Sequence, residues 1–385
     1  SNTESYDTIN QSQLLDEPLQ RQSKKGGILL PNLTENCKGE TPVVSFGLNQ
    51  HGESGGFGDR LLGMVATYYL AIMTNSSFSV HWTRPYNISD YFSVPSCEKH
   101  ARANHRDQSS VGGGGLNASA STPSLPGGGK IVRTAINDWK YFTDSLFLND
   151  TGKDIEISTN SFHWKDVVRN QAFRERALSL GLLTLSQAEL FKLAIDELFG
   201  NPTSVVRESL ESVMRRLAGG HDDQRDFPYV GVQIRLGGEN SSPVLGWVDP
   251  SRHSLEQVQC FAAEAVRLCR QMRIRSIFVT ADSEEAVRAF EEAVDRESAS
   301  ASSSPSPRPI VVQVPGMIAH IDKSSVQAEH AQAVWLKSVL DWWILKHSSA
   351  LVISRSCFGE TAAMSSEAGT SIRLKLSLRV SAPTT

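Results

Sequence analysis

From Tyr229 onward the chain repeats one pattern, and that pattern limits its fold more than anything else in the sequence. "YVGVQIRL" (229–236), "RSIFVT" (275–280), "IVVQV" (310–314), "ALVIS" (350–354) and "SIRLKL" (371–376) are short runs rich in β-branched and aliphatic residues. Between them lie longer stretches with apolar residues three to four positions apart: 254–272, 282–294, 324–348 and a short one near 359–367. The first period suits strands and the second helices. Five strands alternating with helices predict a doubly wound parallel sheet, an α/β architecture. In such sheets ligands bind outside the carboxyl ends of the strands. Here those ends are Arg235–Glu239, Thr280–Ser283, Pro315–Met317 and Ser354–Gly359.

A shorter instance of the same pattern stands near the front. "TPVVSFGL" (41–48) reads as a strand, "GESGGFGDRLLGMVATYYLAIM" as a glycine-rich turn opening a helix over about 58–73, and "SFSVHW" (77–82) as the next strand. A βαβ unit implies a second parallel sheet. Helices are also expected over 184–200 and 203–220, and "HDDQRDFP" (221–228) reads as a linker. This divides the chain into a polar stem or tail at 1–26, an N-terminal domain at 27–220 and a C-terminal domain at 221–385. Gly/Ser/Pro-rich inserts at 107–130 and 297–309 interrupt them and are expected as surface loops.

Composition narrows the chemistry. Charged residues make up 21% and the net charge is −4, without the basic excess that a nucleic-acid partner requires. No run is long and apolar enough to span a bilayer, and "SNTESYDTINQSQ" is too polar for a signal peptide. Contact with a membrane is expected only through an anchor removed from ahead of this sequence. Seven N-x-S/T sequons, at Asn10, Asn32, Asn75, Asn87, Asn117, Asn149 and Asn240, point to the lumen of the secretory pathway. The five cysteines form no CxxC pair; Cys260 and Cys269 read as buried thiols or as members of disulfides.

Several motifs are missing. There is no D-x-D triplet to clamp a metal-bound diphosphate, no G-x-S-x-G elbow and no H-E-x-x-H helix. Gly56-Phe57-Gly58 is followed by Leu61, where a dinucleotide fingerprint requires a third glycine. The Gly-rich end at Lys130 is not a Walker loop, because Ile131 follows it. Phosphate-binding features without a metal remain. Arg235 ends a strand beside two glycines, and its planar fork suits a diphosphate; the alternative is a salt-bridged strand-end arginine. "SRSCFGETAAM" enters a helix whose free N–H groups, with the hydroxyls of Ser354, Ser356 and Thr361, suit phosphate or sugar oxygens; alternatively, Ser356 is a helix cap. Arg60 opposes the dipole of the helix it opens, so it faces either an anion or solvent. Trp335 and Trp342 lie two turns apart and read as a core stripe.

Three of these segments, in this order, resemble one superfamily. "GGFGDRLLGMVATYYLAI", "VGVQIRLGGE" and "HAQAVWLKSVLDWWILKHSSALVISRSCFGETAAM" are similar to motifs of the fucosyltransferases that include the plant xyloglucan enzymes and the protein O-fucosyltransferases. The resemblance implies a GT-B-like fold, two Rossmann-like domains facing across a cleft, with GDP-fucose held by the C-terminal half and no metal. It implies diphosphate binding by Arg235 and donor-side roles for Gly56, Gly58, Asp59, Arg60, Gln233, Ser354, Ser356, Phe358 and Gly359. The acceptor would be a glycan or glycoprotein, and the compartment the Golgi or ER. Where relatives carry His and a second Arg around the strand arginine, this chain has Gln233 and Leu236. Glu239 is the first candidate for a general base, with Asp249, Glu53 and His51 also open. A GT-B transferase with a different nucleotide sugar and a non-catalytic carbohydrate-binding relative are the alternatives.

Overall fold

The computed structural model describes residues 41–47, 55–83, 86–95, 132–135, 152–160, 162–219, 227–238, 250–300, 307–318, 328–366 and 370–373. They fall into two compact units. One holds Gly56–Gly58 and everything described from Pro202 onward; the other holds 41–55 and Asp59–Asn201 as far as they are described.

In the N-terminal unit, β1 (Val43–Gly47), β2 (Ser77–His81), β3 (Val132–Ala135) and β4 (Ile155–Ser158) form a parallel sheet in the order β2-β1-β4-β3. The predicted βαβ unit is present: α1 (Phe57–Thr74) joins β1 to β2. Residues Leu61–Met73 of this helix are buried or glycine, as expected of a helix that is apolar around most of its circumference. β3 and β4 were not expected from the sequence. Among the described residues this unit also holds the α-helices α2 (Trp164–Arg169), α3 (Arg174–Ser179) and α4 (Gln187–Phe199). α4 starts at a reciprocal cap, Ser186 with Glu189, and buries Leu190, Ala194 and Leu198 at helical spacing.

The C-terminal unit has the predicted five strands, all parallel: β5 (Val230–Ile234), β6 (Ser276–Ala281), β7 (Ile310–Val312), β8 (Ala350–Ile353) and β9 (Thr370–Arg373). Their order is β7-β6-β5-β8-β9, so the winding reverses between β5 and β8. β5, β6 and β8 are buried throughout, because helices cover both faces. α6 (Val258–Met272) and α7 (Glu284–Ser300) share one apolar core with Val230, Val232 and Ile234. α8 (Ala328–Lys346) and α9 (Cys357–Ser365) belong to the same unit. Trp335 and Trp342 are fully buried, as the core-stripe reading required. Cys260 and Cys269 are both buried, and burial pushes the Cys269 thiol up to about 12.

Two boundaries differ from the sequence reading. The C-terminal unit begins at Pro202 rather than 221, because α5 (Ser204–Leu217) belongs with the second sheet. Ser276 Oγ donates to Leu217 O at 2.6 Å, and Arg216 Nη1 donates to Gln313 O at 3.2 Å. α7 runs on to Ser300, into the segment 297–309 read as a loop; Arg270 donates to Glu297 O at 2.7 Å across the α6–α7 pair. The stem at 1–26 and the insert at 107–130 lie outside the described residues.

Candidate functional site

The carboxyl edge of the second sheet collects most of the residues singled out above. β5 and β8 are paired up to Gln233 with Ile353, and the ladder continues with Ser354 N donating to Gln233 O at 3.0 Å. Gln233 is 4% exposed. Its Oε1 accepts from Ser354 Oγ at 3.0 Å and Ser356 Oγ at 3.1 Å. Ser356 Oγ in turn accepts from Gly359 N at 3.2 Å and caps α9. A Cβ on Gly359 would lie 2.6 Å from Gln233 Oε1, so glycine is what lets the helix start sit on the carboxamide. Of the two readings of Ser356, capping is the one seen. Thr361 does not offer its hydroxyl outward: it is buried, donates to Cys357 O at 2.7 Å and accepts from Trp342 Nε1 at 3.2 Å.

Arg235 leaves the end of β5 with its side chain 19% exposed and its Nε 3.6 Å from Asp282 Oδ2. Asp282 stands at the end of β6 with its side chain 8% exposed. Its two oxygens also accept the backbone N–H groups of Leu236 and Gly237, each at 2.9 Å. Gly237 and Gly238 both take φ +66, a left-handed turn, and side chains there would meet Pro250 O and Ser251 Oγ. The returning segment closes on the same point: Arg252 N and His253 N both donate to Leu236 O, at 2.7 and 3.3 Å. His253 is buried against the edge of Phe261, and that burial lowers its pKa below the usual histidine value. Neither Asp282 nor Arg252 was singled out from the sequence.

The glycine turn divides between the units. Gly56, Phe57 and Gly58 belong to the C-terminal one. Phe57 stands edge-on to Trp335 and Trp342, each at 5.5 Å, and is tilted against Phe358 at 6.3 Å. Phe358 therefore packs into an aromatic cluster. A Cβ on Gly58 would collide with the backbone of Cys357 and Phe358, so this glycine is required by close approach. Asp59 and Arg60 belong to the N-terminal unit. Arg60 is 4% exposed, which sets aside the solvent-facing alternative. Its Nε donates to Gly55 O at 3.0 Å and its guanidinium carbon lies 5.4 Å from the centre of the Trp82 ring. The arginine holds its own turn. Glu239, Asp249, Glu53 and His51 lie outside the described residues. Among the described residues no three His, Cys, Asp or Glu side chains are grouped as a metal would require.

No protein-family model matches the chain, and no curated protein matches it in sequence. Solved structures do. A point mutant of Arabidopsis thaliana FUT1 in complex with GDP matches with a TM-score of 0.50 at 15% identity, over 85% of this chain and 69% of that one. The chain shares the fold of that structure. The fucosyltransferase NodZ from Bradyrhizobium matches at TM-score 0.43 and 15% identity, over 84% of this chain and 92% of its own. POFUT1 in complex with GDP-fucose matches at 0.43 and 10%, over 88% and 99%. The α/β class with two parallel sheets expected from the sequence is the one found.

Proposed function

We propose that the chain is an inverting, metal-independent glycosyltransferase that moves fucose from GDP-fucose to a hydroxyl of a glycan or a protein. The observation that carries this reading is the switch-point cluster, Gln233 with Ser354 and Ser356, beside Arg235 at the carboxyl edge of a doubly wound sheet. That is where such sheets bind nucleotides, and the FUT1 structure that shares the fold is a complex with GDP. In the reaction the acceptor oxygen bonds to the anomeric carbon as the bond from that carbon to the diphosphate oxygen breaks. The acceptor proton passes to a base, for which Glu239 is the first candidate. Negative charge grows on the leaving diphosphate, and a preorganised cation placed there lowers the barrier. Arg235 is that cation, held in place by Asp282. Action in the Golgi or ER lumen draws on the sequons, of which Asn75 and Asn87 are exposed.

A second reading draws on the Arg235–Asp282 ion pair, which on its own serves a strand end: a non-catalytic relative that binds glycans. Thermal stabilisation by GDP, UDP, ADP, GDP-fucose and GDP-mannose separates these readings. Selective stabilisation by GDP and GDP-fucose, followed by transfer that survives EDTA and gives the inverted anomer by NMR, supports the enzyme. Preference for UDP replaces the sugar. Arg235→Ala should reduce transfer by about two to three orders of magnitude; retained turnover returns Arg235 to a structural role.

A further inference from the structure

The edge at the switch point carries more positive charge than one arginine. The register that pairs Gln233 with Ile353 sets Arg355 opposite Arg235 when carried two residues past the ladder. Paired strands lie about 4.8 Å apart, so two long side chains arise from one spot on the sheet edge. Arg252 joins them from the segment that closes on β5. Its Nη1 donates to Arg355 O at 2.8 Å, while its N–H donates to Leu236 O at 2.7 Å. It ties the exit of β5 to the exit of β8. The Asp282 carboxylate beside Arg235 is already shared with two backbone N–H groups. Arg355 is exposed, and its guanidinium has no hydrogen bond or ion pair among the described residues. Asp282 faces Arg235, Glu360 lies in the first turn of α9, and Glu284 and Glu285 open α7 after the exit of β6.

We propose that Arg355 is the second cation of a diphosphate clamp: Arg235 takes one phosphate group of a nucleoside diphosphate, Arg355 the other, and Arg252 braces the backbone of Arg355. A guanidinium fork pairs two oxygens of a single phosphate, so two forks on neighbouring strand ends suit two linked phosphates. The clamp separates a diphosphate from a monophosphate at the same nucleoside. It rests on the nucleotide-sugar reading above and deepens it.

The test is titration calorimetry of the wild-type chain, Arg355→Gln and Arg252→Gln with GDP, GMP and inorganic pyrophosphate, with melting temperatures of the unliganded proteins alongside. Arg355→Gln should melt like the wild type, bind GDP about tenfold or more weakly and bind GMP within about twofold of the wild type. Arg252→Gln should weaken GDP in the same direction by less. If GDP binds the wild type tightly and Arg355→Gln equally well, or if GDP and GMP weaken together, the clamp is overturned and the nucleotide-sugar reading stands. If the wild type binds pyrophosphate through Arg355 but shows no preference for GDP, the clamp stands and the GDP-fucose reading fails. If the wild type binds neither, both fall.

Discussion

Asp282→Asn removes one negative charge and one acceptor from the point where the exits of β5 and β6 meet. The native carboxylate takes two backbone N–H groups at 2.9 Å each while only 8% exposed. Bonds of this charge-assisted kind contribute about 1.5–3 kcal/mol each. Asparagine keeps one acceptor oxygen, so one bond survives in weaker, neutral form. Its NH2 group must then face the other N–H, donor against donor. The turn cannot swing away to water, because Gly237 and Gly238 are set at φ +66 and Leu236 O is held by Arg252 and His253. The loss is therefore roughly 2–4 kcal/mol. For a unit of this size, about 2–4 °C of melting temperature follows each kcal/mol, giving a fall of roughly 5–15 °C. Scanning calorimetry of the unliganded protein reads it directly. A shift below about 1 °C would show that the carboxylate does not hold the turn, and the account of how Arg235 is positioned would fall with it.

The other expectations concern neighbouring parts of the same unit. Lys337 and Asp341 are a buried pair on α8, with Nζ 3.0 Å from Oδ2 and Thr280 Oγ1 donating to the same oxygen at 2.9 Å. Burial pushes the Asp341 carboxyl up against the pull of Lys337. Asp341→Ala should cost about 3–5 kcal/mol in urea unfolding, and Lys337→Met with Asp341→Leu much less; equal losses would refute the ion-pair account. His253 is buried with its pKa lowered from the ordinary value of about 6.5, so the unfolded chain binds the proton more readily. Its contribution is complete above about pH 6.5 and is lost as the pH falls below that. His253→Phe should flatten the melting temperature against pH on that acid side, and an unchanged slope counts against it. Gly359→Ala gains about 1 kcal/mol of helix propensity but displaces a carboxamide oxygen held by two hydroxyls, each bond contributing about 1 kcal/mol. Its melting temperature should fall; a rise would mean that Gln233 is free to move.

What could be read from the sequence, and what could not, follows from whether a signal is local. β5, β6 and β8 announce themselves because strands covered on both faces are unbroken apolar runs. β3 and β4 do not: "VRTA" and "IEIS" are four residues each and half polar, and β4 pairs with β1 across more than a hundred residues. The sequence does not place α5 with the second sheet, because the polar run after Gly219 looks like a linker, while the bond from Ser276 to Leu217 is long-range. At the site, Gln233, Arg235, Ser354 and Ser356 were legible as strand ends. Asp282 was not, since in "ADSEE" it looks like any acid at a helix start, and its partners are backbone groups of residues 236 and 237.

Arg355 could not be paired with Arg235 until the strand order was known. Gln233 and Ser354 stand 121 residues apart in the chain, and they meet only because the order β7-β6-β5-β8-β9 makes β5 and β8 neighbours. Had the four strands followed one another in sequence order, β5 and β8 would stand three spacings apart, roughly 14 Å. No hydrogen bond spans that, and Gln233 would hold neither serine. The strand ends supply the residues; the reversal of winding between β5 and β8 turns them into one site.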